Sequence, residues 1–160
     1  MLALTEKTIR SAFVNASRKE VTDITLPAWF DEAGWDDLDY LGWRDPRIGR
    51  RAYVVLPQLE GDPVGILLRP AEAAPRSRAQ CSWCQDVTLP NAVVFYSAKR
   101  AGASGRNGNT VGILICEDFE CSRNVRRNPP LAYEGYDLAA ARQRRIDDLR
   151  LRVAGFAASI

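Results

Sequence analysis

The chain has no histidine, one methionine and only three lysines (Lys7, Lys19 and Lys99) against nineteen arginines. Without histidine, a mixed Cys/His metal site is excluded, and general acid–base chemistry would fall to carboxylates, lysine or tyrosine. The arginine bias needs no more than genome composition to explain it. No apolar run approaches the length of a membrane span, so the reading expects a soluble chain. No GxGxxG or GxxxxGK[ST] phosphate loop and no internal repeat occur. The opening Met1-Leu2-Ala3-Leu4 runs into a charged segment rather than a leader pattern, which predicts a reducing, cytoplasmic compartment. Serines such as Ser97 and Ser104 have no partner base in sequence, so an enzyme is not expected.

The four cysteines are concentrated in one stretch. Cys81-Ser82-Trp83-Cys84 is followed, after thirty-one residues, by Cys116-Glu117-Asp118-Phe119-Glu120-Cys121. A CxxC places two thiolates on one ion from a single turn, and a second pair completes a tetrahedral four-cysteine site. Zn²⁺ on Cys81, Cys84, Cys116 and Cys121 is therefore the expected cofactor. A closed four-cysteine set leaves no open position, so the metal is structural. Two disulfides would need an oxidising compartment, and a CxxC redox protein would leave Cys116 and Cys121 without a role.

The residues between and after the pairs fit a finger. Residues 91–96 and 110–115 read as strands, residues 101–109 as a loop, and Asp118 as the cap of a short helix running to Arg127, stopped by Asn128-Pro129-Pro130. Knuckle, hairpin, helix is the order of a treble-clef zinc finger.

Upstream, residues 51–56 and 64–68 read as a β-hairpin around the turn 58–63, with residues 40–43 as a further pairing strand and residues 24–26 as a short one. Residues 5–20 read as one amphipathic helix capped by Thr5, with Ile9, Ala12, Phe13 and Ala16 on one face. Residues 27–39 read as an aromatic-anchored loop with a solvated acidic face. After the connector 131–136, Asp137 caps a helix to about residue 157, with Leu138, Arg142, Ile146, Leu149, Val153 and Phe156 as its stripe. The expected fold class is α+β: a small antiparallel sheet joined to a four-cysteine treble-clef zinc finger, with N- and C-terminal helices. The segments are 1–22 (helix), 23–75 (sheet), 76–131 (finger) and 132–160 (helix), with residues 71–80 as the linker-like stretch.

CSWC, the hairpin and ICEDFECSRN, with Tyr40-Leu41-Gly42-Trp43-Arg44-Asp45-Pro46-Arg47 upstream, resemble the treble-clef zinc-finger domain of elongation-factor-G-binding proteins of the fusidic-acid-resistance type. The resemblance spans roughly residues 24 to 131. It implies binding to elongation factor G, on or off the ribosome, and a translation-associated role. One departure stands out: the resistance proteins carry a helical bundle ahead of the zinc domain, for which residues 1–75 leave no room, so drug resistance does not follow.

On this reading the contact candidates are Trp83 on the knuckle, Lys99, Arg100 and Arg106 on the hairpin, and Tyr133 and Tyr136 beyond the helix. The competing reading is an RNA-binding finger using Arg123, Arg126 and Arg127. Residues 76–127 carry a net +4, which four thiolates on Zn²⁺ reduce to about +2, a mild charge for a nucleic-acid binder.

Overall fold

The computed structural model describes residues 1–58, 61–72, 79–130 and 133–160. Part of the turn 58–63, most of the stretch 71–80 with Arg76 and Arg78, and the start of the connector 131–136 lie outside the described residues.

A five-stranded antiparallel meander organises the molecule. Its strands are β1 (Leu41–Arg44), β2 (Ala52–Leu56), β3 (Val64–Pro70), β4 (Val93–Lys99) and β5 (Thr110–Cys116), in that spatial order. The hairpin reading of β2 and β3 holds, with Val54 opposite Ile66, and β1 pairs as expected through Gly42 and Val54. β3 is the joint. Its first residues pair with β2, and Arg69 and Pro70 then pair with Ser97 and Tyr96 of β4. The sheet therefore runs unbroken from the segment 23–75 into the finger.

Every residue of β2 is buried, because both faces of that part of the sheet are covered. Ala52, Val54, Leu56, Ile66 and Leu68 point to the larger core, shared with Tyr96, Ala98, Ile115 and the cysteines. Tyr53, Val55, Leu67, Leu41 and Trp43 point to a second core under the N-terminal segment, with Ile9, Ala12 and Ile24. The period of two along each strand sorts alternate residues to the two layers.

The N-terminal helix is two helices. α1 (Glu6–Ala12) is capped by Thr5 as predicted, but it stops before Phe13, and α2 (Arg18–Thr22) starts from a Ser17–Glu20 capping box. Between them the backbone is extended: Phe13 bridges Gly65, and Val14 N–H donates to the Gly65 carbonyl. The Asn15 amide completes the join. Its Oδ1 accepts from Leu67 N–H at 2.8 Å, and its Nδ2 donates to the Leu67 and Lys99 carbonyls at 3.1 and 2.9 Å. One side chain thus stands in for a missing piece of strand where β3 and β4 splay apart. Pairing with the sheet outweighs the helical pattern.

Residues 24–26 form no strand. The Thr25 carbonyl accepts from the Trp43 indole and the Ile24 carbonyl from Arg10, so side chains satisfy this backbone. Residues 27–39 contain two single-turn 3₁₀ helices, Phe30–Glu32 and Trp35–Asp37, with Phe30 and Trp35 edge to face at 5.6 Å. Asp31, Glu32, Asp36 and Asp37 are exposed as expected, but Asp39 is buried.

The loop 101–109 holds a short helix, α3 (Gly102–Arg106). It ends at Asn107-Gly108, where Gly108 takes φ +86°, a conformation glycine reaches without strain. α4 (Cys121–Arg126) begins later than predicted, with Glu120 rather than Asp118 as its N-cap residue, because Phe119 adopts φ +59° and turns the chain first. α5 (Leu138–Ala158) is capped by Asp137. Ile146, Leu149, Val153 and Phe156 are buried as read, whereas Arg142 is exposed and Ala141 takes its place in the stripe. A guanidinium has no acceptor in that apolar seam; Arg142 instead reaches Asn128 at 3.5 Å.

Candidate metal centre

The sulfur atoms of Cys81, Cys84, Cys116 and Cys121 all lie within 4.8 Å of one another, and all four residues are buried. They come from three local devices. Cys81 and Cys84 sit on a turn closed by the Gln85 N–H to the Cys81 carbonyl, and Ser82 N–H donates to the Leu114 carbonyl at 2.7 Å, which hooks the knuckle onto β5. Cys116 is the last residue of β5 and Cys121 the first of α4.

The non-glycine residues with positive φ among those described are Gln85 and Phe119, one beside each cysteine pair. Such residues are strained, and they persist where the surroundings hold them. Here they double the chain back so that both pairs face one point.

The spacing tests the metal. Tetrahedral zinc with sulfur at about 2.3 Å needs sulfurs roughly 3.8 Å apart. Cys81–Cys121 and Cys84–Cys116 are 3.6 and 3.7 Å apart, close to that value and far from the bond length of about 2.05 Å in a disulfide. Four buried sulfurs this close cannot all ionise unaided. The Cys81 thiol is pulled down by hydrogen bonds from Cys116 and Cys121, and Cys121 is pushed up as donor to Cys116 and Cys81. A divalent cation removes the conflict by holding all four as thiolates. The four cysteines fit one structural zinc ion.

Donors surround the sulfurs. The Asn124 Nδ2 lies 3.6 Å from Cys116 Sγ and 3.8 Å from Cys84 Sγ. The Cys84 N–H reaches the Cys81 sulfur. The Tyr40 hydroxyl, which donates to the Phe119 carbonyl at 3.0 Å, also stands within hydrogen-bond reach of Cys121. Burial and the adjacent thiolate push the Tyr40 hydroxyl well above its ordinary range, so it remains a neutral donor. Neither Asn124 nor Tyr40 was singled out by residue type. Asn124 had a legible signal: it lies three residues after Cys121, on the same helical face.

The other candidates scatter. Trp83, expected as a surface contact, is buried, edge-on to Tyr40 at 4.9 Å and to Phe156 at 5.9 Å; it is core, because the knuckle turn points it inward. Arg100 is exposed, but its guanidinium donates to the Ser159 carbonyl at 2.6 Å and pins the end of α5 to the hairpin. Lys99 and Arg106 are exposed. Tyr133 is exposed and Tyr136 half-buried, with their rings 5.2 Å apart.

Of the arginines on and just after α4, Arg126 is turned inward. It pairs with the buried Asp39 carboxylate at 2.5 Å, and Arg150 of α5 reaches the other Asp39 oxygen at 2.8 Å. Arg123 is exposed and 3.8 Å from Glu120, and Arg127 is exposed. The three do not form one free basic stripe.

An antiparallel sheet whose last hairpin carries two buried cysteine pairs, one on a knuckle and one spanning a strand end and a helix start, defines a four-cysteine treble-clef zinc-finger protein. Residues 8–160 match the FBP C-terminal treble-clef zinc-finger family, and the chain belongs to it. Among solved structures it is similar to that of the fusidic acid resistance protein FusC, with a TM-score of 0.51 and 21% identity over 66% of this chain and 47% of that one. At that identity the likeness is one of fold, and this chain spans about half of that protein's length. No curated protein sequence matches it. No helix among the described residues is long and apolar enough to cross a membrane.

Proposed function

We propose that the chain is a non-enzymatic, zinc-stabilised binding module whose partner is translation elongation factor G. The observation that carries this reading is the family match across residues 8–160, which covers the sheet, the finger and α5. The zinc supplies rigidity that a small core cannot, which suits a recognition surface. Lys99 and Arg106 project from the hairpin and Tyr133 from the segment before α5, and these are the contacts we assign. Trp83 and Arg100 act behind them as supports.

An RNA-binding role is disfavoured because the charge of Arg126 is already spent on Asp39. A redox role would leave the second cysteine pair idle. The reduced, metal-bound thiolates suit the cytoplasm.

Calorimetric titration of the zinc-loaded chain into its host's elongation factor G, at low and moderate salt, tests the reading. Binding should persist at moderate salt and weaken at least tenfold in Tyr133→Ala and in the Lys99→Ala/Arg106→Ala pair. Absence of heat at both salt concentrations overturns it. A steep loss with salt, together with RNA binding, would replace it with the nucleic-acid reading.

A further inference from the structure

Asn124 is buried to 1% exposure on the face of α4 that looks at the metal site. Its Nδ2 is shared between two sulfurs, those of Cys116 and Cys84. Its Oδ1 is buried and has no hydrogen-bond partner, an arrangement that is unfavourable in a core. A leucine of similar size would avoid that penalty and would favour the helix more. The amide becomes favourable only if its N–H groups meet charge, because a hydrogen bond to an ionised acceptor is about twice as strong as one between neutral groups. Four thiolates on Zn²⁺ carry a net −2 inside a core and supply that charge.

The two sulfurs involved belong to opposite halves of the site. Cys84 comes from the knuckle and Cys116 from the end of β5. One amide on α4 thus bridges the two ligand pairs and orients itself by the third element, the helix that carries Cys121.

We propose that Asn124 is a positioning residue of the zinc centre, donating N–H···S hydrogen bonds that draw charge from the Cys84 and Cys116 thiolates and slow release of the metal. The orphaned acceptor is a cost in either state, and the N–H groups offset it only against zinc-bound thiolates, so the side chain couples burial of α4 to occupancy of the site.

The test uses the full chain. In Asn124→Leu, competition with a zinc chelator should show a 10–100-fold weaker metal affinity, the range expected when such an outer partner is removed. With Co²⁺ in place of Zn²⁺, the sulfur-to-metal charge-transfer band should move to longer wavelength, because thiolates stripped of donors give up charge more easily. Alkylation of the zinc-bound chain, mapped by mass spectrometry, should accelerate at Cys84 and Cys116 more than at Cys81 and Cys121. A purely structural residue would leave the band and this selectivity unmoved.

Should the leucine variant fail to fold, the unaltered chain loaded with ¹¹³Cd gives a second measurement. The Asn124 side-chain amide protons should show scalar coupling to the metal through the hydrogen bond. An unshifted cobalt band with unchanged zinc affinity, or absence of that coupling, overturns the proposal.

Discussion

At the scale of single residues, the side chains that matter most are polar ones in apolar places. Asn15 answers three backbone groups of β3 and β4. Asn15→Ala would leave Leu67 N–H and two carbonyls without a protein partner, and should destabilise the fold by about 1–3 kcal/mol, read as a lower urea midpoint. Asp45 is the second such residue. Burial alone would raise its pKa, but the Tyr53 hydroxyl at 2.7 Å and the backbone N–H groups of Ile48, Arg47 and Thr25 outweigh burial and hold it below the usual carboxylate range. A carboxyl depressed in the folded state contributes stability above its unfolded pKa, about 3.9, and loses it as pH falls through the folded value. Wild-type stability should therefore drop more steeply below about pH 4 than that of Asp45→Asn. The difference in denaturant midpoint between the two proteins, followed downward from about pH 6 so that the acid release of zinc common to both cancels, checks this, and parallel curves would reject it. The motif around Asp45 was visible as Arg44-Asp45-Pro46-Arg47, but its partner Tyr53 lies on the next strand, beyond the reach of local pattern.

At the scale of elements, one carboxylate joins helix α5, helix α4 of the finger and the loop before β1. Asp39 exposes 1% of its side chain and pairs with both Arg126 and Arg150, whose side chains are 22% and 54% exposed. Removing Arg126 leaves the buried carboxylate only the half-exposed, screened Arg150, whereas removing Arg150 leaves the more buried pair intact. Arg126→Ala should therefore cost more, up to about 3 kcal/mol, and Arg150→Ala under about 1 kcal/mol, measured by thermal or urea unfolding; equal losses would contradict the burial argument.

The contact of β1 with the finger is equally specific. A Cβ on Gly42 would meet the Phe119 ring at 2.7 Å. Gly42→Ala should displace Phe119 and destabilise by about 1–3 kcal/mol, with lower zinc affinity as the companion readout. These elements were legible as types but not always as bounds. β2, β3, β5 and α5 follow their periodicity. The 5–20 segment does not, because Phe13 and Val14 gain backbone partners on Gly65 that a helix cannot offer.

At the scale of the whole molecule, the metal centre lies within the main core. Tyr40 from before β1, Trp83 from the knuckle and Phe156 from α5 stack in series beside the cysteines, and all share one cluster with β2 and β3. Zinc removal should therefore do more than loosen a loop. Chelation should abolish near-ultraviolet circular dichroism across the chain and lower the melting temperature cooperatively, with recovery on adding zinc. Loss confined to the finger, with the upstream sheet still protected in hydrogen exchange, would show that the two parts fold separately.

The sequence by itself determined the ligands and the class of metal. Two close cysteine pairs in a chain with no histidine leave one four-sulfur solution, and the alternation between them places a hairpin there. It also determined α5, through its Asp137 cap and apolar stripe. Tertiary structure alone decided which large or charged side chains were free to meet a partner. Trp83 and Arg126 have the composition of contact residues, but one fills the core beside Tyr40 and Phe156 and the other neutralises Asp39, eighty-seven residues away in the chain. Periodicity reports the face a residue occupies on its own element; burial and pairing depend on what the rest of the chain brings to that face.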